Sequence, residues 1–189
     1  LAMREASVAA VLHVHIDARD LSPEQCALCI PALERELENL QARFPTCLPD
    51  WRIENFHYCQ FINPPDNQRL TDLHQRVIDR DDRYKAVNLM SLKKHGTVEF
   101  RIAFLPSSGK EAVEWAQYLR EMVDSIAAIN PKELAKMTVL EGLSWINFEQ
   151  PTEWTESLDS PIGELIPLEK RMDLLFQMMD QPYRIQWAA

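Results

Sequence analysis

Leu12–Asp17 reads L-H-V-H-I-D, and Thr97–Ile102 reads T-V-E-F-R-I. In both runs polar and apolar residues alternate. Successive side chains of an extended strand point to opposite faces, so each run predicts a half-buried strand with one greasy face. The first puts His13, His15 and Asp17 on one face and Leu12, Val14 and Ile16 on the other. The second puts Thr97, Glu99 and Arg101 opposite Val98, Phe100 and Ile102. An ordinary solvent face carries Lys, Thr, Glu and Ser. These two carry imidazoles, carboxylates and a guanidinium, groups that bind divalent metals and phosphates.

The chain has 189 residues, enough for one domain with a single core. A net charge of −9 argues against general nucleic-acid binding, which needs a basic surface. No apolar run approaches the roughly 18 residues needed to span a membrane, and no signal peptide is visible, so a cytoplasmic location is expected. Cys26 and Cys29 lie one helical turn apart, with Cys47 and Cys59 further on. No second CxxC or histidine pair completes a zinc pattern, and reduced, partly buried thiols are expected.

Ser22-Pro23 predicts the start of a long helix, because serine caps free N–H groups and proline suits the first helical position. It is expected to run to Arg43 with a kink at Pro31. Glu34, Glu36 and Glu38 read as a solvated face. Residues 51–62 are aromatic-rich and have no clear period. A helix is predicted over about 67–79, and a hairpin pairs 84–91 with 96–104 around Lys93-Lys94-His95-Gly96. A strong amphipathic helix follows over about 110–129, carrying Trp115, Leu119, Met122, Val123 and Ile126 on one stripe. Asn130-Pro131 starts a helix to about 142. A helix tail over residues 1–9 and a single domain over 1–189 are expected, with 150–189 as a loop plus a C-terminal helix. The fold class is α+β.

Four blocks stand in order along the chain: H-V-H-I-D, W-R-x-x-N-x-x-Y-C from Trp51, R-Y-x-A-V-N-L from Arg83, and G-T-V-E-F-R from Gly96. Together with the helix containing Trp115, they resemble the amidoligase family of glutamine synthetase-like carboxylate–amine ligases, over roughly residues 10–127. The resemblance implies a curved antiparallel sheet with helices on one face, and a concave face that holds metal and ATP. It aligns His13 and Glu99 with metal ligands, for Mg²⁺ or Mn²⁺, and makes Glu99 and Arg101 the catalytic pair, with Arg101 on phosphate. Arg83, Asn88 and Arg52 fall at substrate- or nucleotide-facing positions, beside Asn55 and Tyr58. His15 takes a supporting or substrate role, and Asp17 is a further candidate ligand.

The family's opening G-x-E-x-E strand is absent. Without that strand, the expectation is either a domain incomplete at its N-terminus, with the missing strands supplied upstream or by a partner chain, or a member of the family with a reduced site. The family's polar turn after E-F-R is replaced by Ala103-Phe104-Leu105-Pro106. The implied activity is ATP-dependent joining of a small-molecule or peptide carboxylate to an amine. The competing reading is a non-catalytic interaction module, for which the apolar tail from Met172 to Trp187 suits docking on a partner. A metal-dependent (β/α)₈ hydrolase also uses H-x-H on a strand, but needs about 250 residues and alternating βα units.

Overall fold

Every residue from Gln25 to Leu33 is buried in the helix Pro23–Arg35 (α1), and the other elements gather around it. A helix without a polar face has to sit inside the core. The structure, a computed structural model, describes residues 11–45, 47–48, 59–80, 84–104, 106 and 108–148, which fall in one compact unit spanning Val11–Gln150. After β1 (Val11–Asp17) and α1 come α2 (Leu37–Arg43), α3 (Leu70–Arg80), β2 (Val87–Asn88), α4 (Ser91–His95) and β3 (Thr97–Phe104). Then follow α5 (Gly109–Ala127), α6 (Pro131–Leu134) and α7 (Val139–Trp145). The architecture is α+β, with a three-stranded antiparallel sheet in the order β1-β3-β2.

Helix α1 touches α2, α3, α5, α6, α7 and β2, which makes it the hub of the core. Leu28 and Leu33 from α1, Leu70 and Leu73 from α3, and Trp115 and Leu119 from α5 are fully buried there. Each such side chain contributes about 1.5–3 kcal/mol through removal from water. The predicted Ser22 cap is present, with the side chain of Gln25 reaching back to the Ser22 N–H. Ser108 caps α5 by accepting from the Glu111 N–H.

Several expectations change. The helix from Ser22 continues through Pro31 and breaks at Glu36 instead. Glu36 is not solvated: its carboxylate is buried and accepts hydrogen bonds from Tyr118 Oη at 2.8 Å and Asn39 Nδ2 at 2.9 Å. The strand expected over 84–91 shrinks to Val87–Asn88, because α4 takes the chain from Ser91 to His95. Gly96 then reverses direction at φ 67°, where a Cβ would meet Arg19 Cγ at 2.7 Å. The helix expected over 130–142 is two helices, α6 and α7. A second capping box, Thr138 with Glu141, restarts the chain at Val139.

All four cysteines are buried, and none forms a disulfide. Burial pushes the Cys26 thiol up to about 11 and that of Cys29 higher still, which leaves both inert. No described helix is long and apolar enough to cross a membrane. The expected helix tail over 1–9, the block 51–58 and the segment 150–189 lie outside the described residues.

Candidate functional site

The central strand β3 carries the charged residues of the site, and its two neighbours supply their partners. His15 of β1 and Asn88 of β2 both stand opposite Glu99, so one rung of the sheet reads His15–Glu99–Asn88. Between Leu12↔Ala103 and Val14↔Phe100 the register shifts by one residue. There β3 sets Arg101 and Ile102 against His13 alone, which is a β-bulge. Such a bulge locally re-aims side chains, and His13 and Arg101 flank it.

Glu99 is the meeting point. Its Oε1 lies 3.1 Å from His13 Nδ1, 3.7 Å from His15 Nε2 and 3.7 Å from Arg101 Nη1. Its Oε2 accepts a 2.6 Å hydrogen bond from Asn88 Nδ2. Burial alone would raise the Glu99 pKa. Hydrogen bonds from His13 and Asn88 and the charge of Arg101 outweigh it and bring the pKa down to about 2. Arg101 is itself buried, with its guanidinium 5.9 Å from the centre of the Tyr84 ring. His13 Nε2 and Arg101 Nε are both buried without a hydrogen-bond partner.

His15 sits at the rim. Its Nδ1 is 2.9 Å from Thr97 Oγ1, and its ring meets the edge of His95 at 5.8 Å. Burial lowers its pKa; Glu99 opposes the shift, while His95, His13 and Arg101 add to it. His15 also borders a groove of about 550 Å³ between β1 and α5, walled by Val14, Ile16, Ala112, Val113 and Ala116.

The sequence-derived residues therefore divide. His13, His15, Asn88, Glu99 and Arg101 come together. Asp17 does not join them, because its carboxylate is paired with Arg19 and held at about 2 by that contact. Asn88 faces Glu99, and its Oδ1 accepts from Met90 N at 2.9 Å, so both ends of its amide are engaged within the protein. Arg52 and Arg83, with Asn55 and Tyr58, lie outside the described residues. Tyr84, Thr97 and His95 also border the site, although the sequence assigns none of them a role there. Tyr84 stands inside the R-Y-x-A-V-N-L block, and Thr97 lies two residues before Glu99 on the same strand face, so both carried a readable signal.

A hard cation takes about six ligands, mostly oxygen, at about 2.0–2.6 Å. Here one carboxylate faces the site. The oxygen nearest His13 also faces a guanidinium, and the other is taken by Asn88. Among the described residues no group of three or more His, Cys, Asp or Glu could hold a metal ion. The described donor set by itself does not fit a resident Mg²⁺ or Mn²⁺ on His13 and Glu99. What it can do is hold an imidazole and a guanidinium in fixed orientation around one ionised carboxylate. Compared with known proteins, the chain matches no family model, no curated protein and no solved structure.

Proposed function

We propose that this chain is an ATP-dependent carboxylate–amine ligase built on a glutamine synthetase-like sheet of the amidoligase kind. The observation that carries the reading is the convergence of His13, His15, Asn88 and Arg101 on Glu99 across three adjacent strands. Those residues come from three of the four sequence blocks that define the resemblance. Mg²⁺ or Mn²⁺ belongs to this reading as the counter-ion that ATP brings, not as an ion held by His13 and Glu99.

The chemistry has two steps. A carboxylate attacks the γ-phosphate to give an acyl phosphate and ADP, and an amine then displaces phosphate. Such transfers depend on positioning and on neutralising charge. Arg101, buried and with an unpartnered Nε, is suited to charge growing on the transferred phosphoryl group. Glu99 keeps Arg101 and His13 in place. Arg52 and Arg83 are candidates for substrate or nucleotide contact. The acid and amine are small molecules or peptides, and the setting is cytoplasmic. β1 forms one edge of the described sheet, where a further strand from this chain or a partner chain can pair.

One observation favours a second reading, a non-catalytic module. Both Glu99 oxygens already face protein groups, as in a structural ion-pair network. ADP release from MgATP across a panel of amino acids, dicarboxylates and amines tests the two. The ligase reading expects release with one acid–amine pair and a loss of about 100-fold in Arg101→Lys. No release with any pair, and no nucleotide binding by calorimetry, would leave the module.

A further inference from the structure

His13 Nε2 is buried and unpartnered, while the other nitrogen of the same ring faces Glu99 at 3.1 Å. An ionised carboxylate only accepts hydrogen bonds, so Nδ1 is the donor of that pair. In the neutral ring the proton then sits on Nδ1 and the lone pair on Nε2. Glu99 cannot turn away, because Asn88 Nδ2 holds its Oε2 at 2.6 Å. Asn88 in turn is oriented by Met90 N, which donates to its Oδ1 at 2.9 Å. The contacts run Met90–Asn88–Glu99–His13, from the end of β2 across the central strand to β1. A carboxylate that orients a basic imidazole in this way sets both its tautomer and its direction. The charged or titratable groups around the ring are Glu99 and Arg101 on β3 and His15 on β1.

We propose that His13 is the proton acceptor of this site, locked in the Nδ1–H tautomer by Glu99, with Asn88 as the positioning residue behind it. The identity of the proton rests on the ligase reading above. The amine nitrogen attacks the carbonyl carbon of the acyl phosphate and a C–N bond forms. The C–O bond to the phosphoryl group breaks, and phosphate leaves with the electron pair. The surplus proton on nitrogen passes to His13 Nε2. The His13 side chain is 23% exposed but Nε2 itself is buried, so a substrate N–H reaches that atom only when a neighbouring side chain moves aside. A substrate N–H that reached Nε2 would supply the hydrogen bond the atom lacks.

Long-range ¹H–¹⁵N correlation spectra of the full chain, labelled with ¹⁵N-histidine, read the tautomer directly. The expected pattern is a protonated Nδ1 and an unprotonated Nε2 for His13 at neutral pH. In Glu99→Gln that preference is lost, and in Asn88→Ala the two tautomers mix. A protonated Nε2 in the wild type overturns the assignment. So does direct coordination by Mn²⁺ alone, seen as selective broadening of the His13 ring; an unaffected ring supports it.

With the acid–amine pair found by ADP release, His13→Asn keeps a donor towards Glu99 but removes the base. Amide formation should fall about 100-fold, while trapping of the acyl phosphate by hydroxylamine, which needs no base, stays within about twofold. Equal loss in both assays overturns the role. If no pair supports ADP release, the ligase reading fails, and the His13 assignment is decided by the tautomer alone.

Discussion

Asn88 Nδ2 donates a 2.6 Å hydrogen bond to Glu99 Oε2 across the two-residue pairing of β2 with β3, and both side chains are buried. This contact accounts for a strand as short as Val87–Asn88 holding the sheet edge. Ser91 adds to it by donating to the Asn88 carbonyl at 3.0 Å. Asn88→Ala removes the donor to Glu99 Oε2 and the acceptor of the Met90 N–H. The expected loss is about 1–3 kcal/mol, read as a lower midpoint in urea unfolding. An unchanged midpoint would show that water replaces the amide.

Acid should weaken the fold through Glu99. Its folded pKa of about 2 lies below the ordinary carboxylate value, so the unfolded chain takes up the proton first. The contribution is complete above the unfolded value of about 4.3 and is lost as pH falls towards about 2. Thermal unfolding of the wild type should therefore drop across that window. Glu99→Gln should start lower at pH 7 and lose less on acidification. Parallel pH curves for the two proteins would remove Glu99 as a source of the acid sensitivity.

Gln25 ties the first long helix to the end of the second. Its Nε2 lies 3.1 Å from the Ala127 carbonyl and 2.9 Å from that of Ile129, where α5 runs out of internal donors. Gln25→Ala should cost about 1–3 kcal/mol, because buried carbonyls lose their donor. Hydrogen exchange should show earlier opening of residues 123–129, while the strand amides keep their protection.

Tyr118 and Glu36 form the other buried polar link, at 2.8 Å. Burial, then the Glu36 carboxylate, push the tyrosine pKa up, so the phenol stays protonated as a donor. Tyr118→Phe should cost about 1–3 kcal/mol by leaving Glu36 short of a donor. Adding Glu36→Gln to that variant should recover part of the loss, because the buried charge is then gone. A double mutant as unstable as the sum of the two single variants would argue that the pair is not coupled.

Much of the frame was readable from local signals. The alternation in Leu12–Asp17 and Thr97–Ile102 located β1 and β3, Ser22-Pro23 marked the start of α1, and the apolar stripe from Trp115 to Ile126 located α5. The burial of the Glu36 carboxylate was not readable, since its partner Tyr118 arrives from 82 residues away. The split of 130–142 was readable in principle: Thr138-x-x-Glu141 is a capping box that the Asn130-Pro131 start overshadowed. Arg52 and Arg83 lie outside the described residues.

What the sequence by itself determined is which residues share a strand face, because a strand's period of two is a local property of the backbone. It therefore grouped His13 with His15 and Glu99 with Arg101. Tertiary structure alone decided the register that sets His15 and Asn88 either side of Glu99. It also decided the bulge at His13. Register and bulge are set by how three strands, far apart in the chain, pack together. No local pattern encodes which nitrogen of His13 meets a carboxylate and which is left without a partner.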